Sequence, residues 1–426
     1  MDTFRLISDN GSDRATGYNM SCKIIRSDEH LFLGWLDAPE HKGDSARIMV
    51  ARCDPETGEP NFITQVGAGI DNHCGPALAY DPHRKRLHVI TGAHHGPFEH
   101  FCTDDLGESW FLVEKIGEEN SYPSLAIDGN GTLHLAYRKR SNRWQMCYRS
   151  KQVEHAWGEE IAVAVSPMPG YNHFMQSLSA TPDGTLHLTF QFHYAESGRA
   201  QDCKGRAVLH VQSSNQGESW FSSKQAYDQP ITIDSMDPVC AYPNENLRRH
   251  DLRIGNHIPP LPNGDGKLSS VCFFTTVPDN PHGQLWYQNQ TCWESINLSK
   301  FTSGLNVHGG KSTSISRDIE GNVHLVIATS PVGQETAWFD PSHELFHLAL
   351  NPTGELISFP QITDVEASSA RWLPALEYRN WQSSKTGSSN GLWMMFTEGL
   401  NQGGIGGDNA NAIKTKVYLA QLQVRI

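Results

Sequence analysis

Residues 71–97, DNHCGPALAYDPHRKRLHVITGAHHGP, hold five histidines: His73, His83, His88, His94 and His95. The stretch reads as two β-strands joined by a turn, with His73 before the first strand and His94 after the second. An imidazole takes or gives a proton near neutral pH, so two of them at one end of a hairpin suit acid–base chemistry. Downstream, Tyr122 in SYPSLAID supplies a phenol, and residues 137–143, YRKRSNR, supply Arg138, Lys139, Arg140 and Arg143. Guanidinium binds carboxylate bidentately, and phenol can protonate a leaving oxygen. Beside the arginine cation the phenol's pKa is expected to fall, so it can also serve as base. A C–H next to a carboxylate becomes removable once that carboxylate is neutralised and the enolate-like intermediate stabilised. Imidazole, phenol and guanidinium are thus the parts of a β-elimination from a uronic acid. Plainer roles stand beside this one. Arg138 and its neighbours also read as a solvated strand end, and His83, His88 and His100 as solvated or hydrogen-bonded bystanders. His134, His187 and His324 recur at one repeat position, which points to packing.

These residues are far apart in sequence, so the elements must gather them. One phrase recurs: an apolar strand, a turn with Asp, Asn or Gly, then a strand starting near Leu-His-Leu. Its marks are Leu31, Leu87, Leu133, Leu186, Leu268, Val323 and Leu392, seven copies in all. The spacing averages roughly 60 residues, which suits four-stranded propeller blades with loops. TDDLGESW (103–110) and SSNQGESW (213–220) look like Asp-box turns. There a short polar side chain bonds backbone amides, glycine takes positive φ and tryptophan packs between sheets. In TLHLAYR (132–138), Leu133, Leu135 and Tyr137 share one face, and Thr132, His134, Ala136 and Arg138 the other. The expected fold is all-β, a seven-bladed β-propeller forming a single domain over 1–426, with the strand around 416–424 pairing an N-terminal segment. In such a ring His73, Tyr122, His173, His257 and His308 stand at entries to inner strands and converge at one channel mouth.

The formal charge of -13 argues against nucleic acid as the main partner. No apolar run reaches the ~20 residues of a membrane span. The nine cysteines are odd in number and form no CxxC pair, so free, mostly buried thiols are expected.

DNHCGPALAYDPHRKRLHVITGAHH followed by SYPSLAIDGNGTLHLAYR resembles the polysaccharide lyases that cleave ulvan on a seven-bladed β-propeller. The similarity runs from residue 20 to about residue 190. It implies that His73 and Tyr122 match the catalytic pair, that Arg138 matches the residue neutralising the substrate carboxylate, and that His94 matches a further active-site histidine. Asn72, His95, Lys139, Arg140, Arg143 and His173 are the expected substrate-binding residues. Some relatives hold a structural zinc. Cys240, His250, His257 and Cys272 are candidates for zinc here, without convincing ligand spacing, a structural calcium is the alternative with no ligands assigned, and catalysis itself is expected to need no cofactor. The expected partner is an acidic, sulfated polysaccharide or oligosaccharide, with neither nucleic acid nor membrane, acted on by a monomer. The resemblance favours a secreted or periplasmic protein, whereas the N-terminus and the thiols lean towards the cytoplasm.

Three other functions compete. A sialidase-like hydrolase is suggested by the Asp-box turns, but such enzymes usually need an arginine triad, and the Phe-Arg-Ile-Pro motif near the start is absent here. A carbohydrate-binding propeller without catalysis fits the fold equally. A metal-dependent hydrolase would use the histidines as ligands.

Overall fold

In the computed structural model, the described residues are 4–27, 29–41, 43–243, 246–261, 264–302, 304–331, 340–364, 369–378, 391–399 and 413–422. Among them the only helical elements are three-residue 3-10 turns, Ala200–Asp202, Lys267–Ser269 and Leu298–Lys300. Everything else regular is strand, as expected of a chain whose short apolar runs are broken by Gly, Asn and Asp turns. No helix is long and apolar enough to cross a membrane.

The strands hydrogen-bond as five sheets of eight, seven, six, four and four strands. Strand pairing within them is antiparallel. The seven-stranded sheet is continuous because the 17-residue strand Phe111–Ile127 serves two neighbours. Its first part pairs with His94–Thr103 and its last part with Leu133–Lys139. The N-terminal strand Arg5–Gly11 pairs along the C-terminal strand Thr415–Leu422, so the two ends of the chain close one sheet together. That is the expected pairing of the last strand, although residues 423–426 lie outside the described set.

Six of the seven repeat marks open a second strand as expected. Leu31, Leu133, Leu186, Val323 and Leu392 each begin one, and Leu87 is the second residue of Arg86–Ile90. Leu268 does not. It lies in the 3-10 turn Lys267–Ser269, and the strand Cys272–Val277 starts beyond it. Leu268 is nonetheless fully buried, so burial without a strand produced the pattern.

Both Asp-box turns form. Gly107 N donates to Thr103 Oγ1 (2.9 Å) and Ser109 N to Asp105 Oδ1 (2.9 Å), with Gly107 at φ 98°. In the second turn Gly217 N donates to Ser213 Oγ (2.9 Å) and Ser219 N to Asn215 Oδ1 (3.0 Å), so Asn replaces Asp without loss of the bonds. Trp220 is buried in the core beside Tyr148, Phe174 and Phe190.

The two faces of Leu133–Lys139 are both buried. Leu133, Leu135 and Tyr137 join one core cluster, while Ala136 joins another. A sheet packed between two others has no solvent face. For the same reason the recurring histidines are interior. His88 bonds His100 (3.0 Å), His134 bonds Tyr148 (2.7 Å), His187 bonds His210 (3.3 Å) and His324 bonds His347 (2.9 Å). His88 and His100 are therefore buried partners of one another, not solvated.

First strands of successive sheets are tied side by side. Leu78 N donates to Cys22 O (3.0 Å) and Leu178 N to Ser124 Oγ (3.0 Å). His257 N donates to Ser177 Oγ (3.1 Å), Ile315 N to Asn256 Oδ1 (3.0 Å), Leu376 N to Ser314 Oγ (3.0 Å) and Tyr378 N to Ile24 O (3.2 Å). These bonds hold the strand entries in a fixed mutual arrangement.

Candidate active site

Ser121 is the hub. It is the cross-strand partner of His94 on one side and of Arg138 on the other. The shared strand thus brings together two residues separated by more than one hairpin. The next residue, Tyr122, has φ 60°. Positive φ is costly for a bulky side chain and marks a backbone held by its surroundings. Here Gln176 Nε2 donates to the Tyr122 carbonyl. The kink places the phenol ring 6.1 Å from the His73 ring, 5.2 Å from Tyr18 and 5.4 Å from His173.

Asp71 organises the histidines. Its Oδ1 accepts from His73 N (2.8 Å) and faces His73 Nδ1 (3.1 Å), while its Oδ2 faces His94 Nδ1 (2.5 Å). The two rings stack with centroids 4.2 Å apart. A carboxylate only accepts, so both Nδ1 atoms carry hydrogen, and the lone pair of the His73 ring is on Nε2. Burial works against the Asp71 anion, but the two imidazole donors outweigh it and hold the carboxyl far below its ordinary range. His73 Nε2 lies 2.5 Å from Arg14 Nη1, and Arg14 also donates to Tyr18 Oη. Burial, then the Arg14 charge, push His73 down to about 3, so it is neutral at physiological pH.

Arg138 is 1% exposed. Its guanidinium lies over the rings of Tyr122 (4.4 Å), Trp144 (4.7 Å) and Tyr171 (5.2 Å). Nη1 donates to Tyr171 Oη (3.0 Å), whereas Nε and Nη2 are buried without a hydrogen-bond partner. It is not a solvated strand end. The expectation that Arg138 lowers the Tyr122 phenol is corrected: burial raises Tyr122 well above 10, Tyr18 adds to this, and the arginine's opposing effect is smaller. A phenol so held is a proton donor.

His73, His94, Tyr122 and Arg138 therefore share one site. His95 borders it, its ring 4.4 Å from His94 and 5.2 Å from Trp144, and burial lowers it to about 3. His173 borders it opposite, 3.1 Å from Arg253 Nη1. Asn72 is bound to Asp13 Oδ1 (2.8 Å). The basic run is engaged elsewhere: Lys139 with Glu160 (2.5 Å), Arg140 with Glu119 (2.5 Å) and Arg143 Nε with Ser166 O (2.7 Å). His257 is buried against Ser179 (2.7 Å), outside this group. The side chain of His308 lies outside the described residues.

Asp71, Arg14, Tyr18, Trp144, Tyr171 and Arg253 complete the site and were not singled out by sequence. Asp71 lies two residues before His73, a spacing that lets one carboxylate serve both backbone and ring. DRATGYN, residues 13–19, carries no periodic signal, and its role appears only when the N-terminal segment folds so that Arg14 meets His73 and Tyr18 and Asp13 meets Asn72.

Among the described residues, the group of donors close enough for a metal is Asp71, His73 and His94, within 4.8 Å of one another. The hydrogen bonds above already satisfy it, and the adjacent Arg14 cation opposes a second one. Cys240, His250, His257 and Cys272 form no such group. Cys272 Sγ bonds Leu268 O (3.5 Å), and these four residues do not fit as a zinc or calcium ligand set. All nine cysteines are free thiols, seven of them buried.

A family model described as BNR repeat-containing matches residues 33–251. The chain belongs to the BNR repeat-containing family. No curated protein sequence matches it. Solved structures show the fold that this BNR repeat protein shares with others. An ulvan lyase of polysaccharide lyase family PL25 superposes with TM-score 0.69 at 11% identity, covering 99% of this chain and 96% of that one. The same enzyme has also been solved bound to -[GlcA(1-4)Rha3S]-. Polysaccharide lyase Uly1 gives TM-score 0.60 at 12% identity over 99% of both chains. The lectin BP39L from Burkholderia pseudomallei gives 0.55 at 13% identity, covering 91% of this chain and 94% of that one. The all-β architecture of this BNR repeat protein is thus one found in both lyases and lectins.

Proposed function

We propose that this protein is a polysaccharide lyase that cleaves a uronic-acid-containing, acidic polysaccharide by β-elimination. The observation carrying the reading is the convergence of a neutral His73, a protonated Tyr122 and the buried, under-bonded guanidinium of Arg138 within one site. The substrate carboxylate takes the open Nε and Nη2 of Arg138, which stabilises the charge that develops when C5 loses its proton. His73 Nε2 is the base. Arg14 covers that lone pair in the ligand-free protein, and an arriving carboxylate draws the guanidinium away, restoring the basicity that burial and Arg14 suppress. Tyr122 protonates the departing O4. Proton and leaving group are then handled by separate residues: the C5–H electron pair becomes the C4–C5 double bond, and the C4–O4 pair leaves on O4, which takes the Tyr122 proton.

The same reading takes the ring as seven blades. Dividing Phe111–Ile127 at Tyr122, and assigning Arg5–Gly11 to Thr415–Leu422, lets the five sheets be read as seven units, six of four strands and one of six. The bonds between successive first strands support this closure.

Tyr122→Phe and His73→Ala test the assignment. Each is expected to lower the rate of ultraviolet-absorbing unsaturated uronate formation by about 10²–10⁴-fold, with an unchanged melting temperature. Full activity in either removes that residue from the mechanism. One observation favours a hydrolase as second reading: Arg14, Arg138 and Arg253 form the arginine group that the sequence did not reveal. Against it, the charged and phenolic groups acting most strongly on Tyr122 are Tyr18, Arg138, Tyr171 and Arg14, none of them a carboxylate that could activate a tyrosine nucleophile. New reducing ends without ultraviolet absorbance would favour hydrolysis, and binding without products a lectin.

A further inference from the structure

Buried arginines elsewhere in this protein have partners. Arg26 forks onto Glu377 (2.7 and 3.1 Å), and Arg371 reaches Glu398 (2.9 Å) and Glu344 (3.2 Å). Arg317 is spent on the carbonyls of Pro259, Leu268 and Ser270. Arg138 and Arg253 differ: among the described residues neither has a carboxylate, as Arg26 and Arg371 have, or a set of carbonyls, as Arg317 has, and their guanidinium groups hydrogen-bond only to Tyr171 Oη and His173 Nδ1. Arg253 opens the strand Arg253–Ile258 and is 8% exposed. Its Nη1 lies 3.1 Å from His173 Nδ1. Burial lowers it to about 10, and the neighbours that act on it electrostatically are Tyr171, Arg249, Cys203 and Tyr122. A guanidinium taken out of water without a counter-charge is costly, and a chain of net charge -13 has carboxylates to spare.

The two exceptions flank the same aromatic pair. Arg138 lies 4.4 Å from the Tyr122 ring and 5.2 Å from Tyr171, while His173, the partner of Arg253, lies 5.4 Å from Tyr122 and 6.2 Å from Tyr171. We infer that Arg253, steadied by His173, binds a second anionic group of the substrate, a sulfate ester or carboxylate on the sugar next to the uronate held by Arg138. The uronate half rests on the lyase reading. The demand for two anions rests on the two guanidinium groups that no carboxylate neutralises among the described residues.

Matched substrates test this: a sulfated uronate polysaccharide, its chemically desulfated form, and a polymer carrying a carboxylate on every sugar. The wild-type protein is expected to favour the chains with anions on adjacent sugars over the desulfated one by about 10–100-fold in kcat/KM. Whichever of the two is preferred identifies the anion. In Arg253→Met that ratio is expected to collapse towards one, with Arg253→Lys intermediate. If Arg253→Met does not fold, His173→Gln gives the same reading through a weakened ratio. Equal rates on all chains in the wild type, or an undiminished ratio in a folded Arg253→Met, would overturn the inference. If no chain yields unsaturated product, the lyase reading fails by itself. Calorimetric titration with sulfated and desulfated oligosaccharides then reads the same ratio in Kd, and its persistence in Arg253→Met would overturn the second-anion site.

Discussion

At the scale of single residues, the site is a set of groups whose protonation is set by neighbours. Asp71 makes one carboxylate serve two imidazoles, so both rings turn Nδ1 to it and Nε2 away from it. Asp71→Asn replaces an acceptor pair by an amide that can orient only one ring correctly. We expect kcat to fall by about 10²–10⁴-fold with little change in KM; a larger effect on KM than on kcat would make Asp71 a binding residue. Burial, and after it Arg14, keeps the free-enzyme pKa of His73 low. The wild-type kcat/KM should therefore show no acid limb near the ordinary histidine value of about 6.5. Removing the cation in Arg14→Gln lets that limb rise towards it, and identical pH profiles for the two proteins would contradict this. His73, His94, Tyr122 and Arg138 were legible because their side chains are the reactive ones and each lies near a strand end. Arg14, Asp71 and Arg253 were not, because their roles consist of which partner arrives from a distant segment. Lys139, Arg140 and Arg143 looked equivalent to Arg138 by charge alone. Strand alternation points Arg138 inward, while the other three spend their hydrogen bonds on Glu160, Glu119 and Ser166.

At the scale of elements, the repeat was readable because the second strand of each unit starts with a buried aliphatic residue after a turn. It misled at Leu268, where burial is met by a 3-10 turn. The Asp-box turns were readable residue by residue, since every position has a local backbone task. Gly217 shows how tight that task is. It has φ 85°, and a Cβ there would lie 2.1 Å from the Tyr148 ring. Gly43, at φ 98°, has open space around it. Gly217→Ala should cost about 1–3 kcal/mol in urea unfolding, clearly more than Gly43→Ala; equal losses would mean that backbone strain alone matters. What the sequence did not disclose is the double use of Phe111–Ile127. A single strand serving two hairpins looks like two strands with a turn, yet this sharing is what sets His94 beside Arg138.

At the scale of the whole molecule, sheets packed on both faces leave histidines inside. Burial lowers His88, His257 and His347 to about 3, His187 to about 4 and His100 to about 2. The unfolded chain takes up protons on these rings near pH 6.5 and the folded chain only near 4 or below. Stability is thus fully present above about pH 6.5 and is lost as pH falls, by at most about 1.4 kcal/mol per pH unit for each ring. The urea midpoint should drop markedly between about pH 7 and pH 5; a flat profile would mean that these rings are protonated in the native state. With a net charge of -13 over the chain, the buried Arg14, Arg138 and Arg253 of the candidate site are where the proposed acidic substrate would meet positive charge. The central claim concerns the bond-breaking step there, and the mass of the products reads it directly. A defined uronate oligosaccharide is cleaved by the wild-type protein in ¹⁸O-labelled water and the fragments are weighed. Elimination predicts fragments whose masses sum to that of the substrate, with no heavy oxygen. Fragments that together gain one labelled water would contradict it.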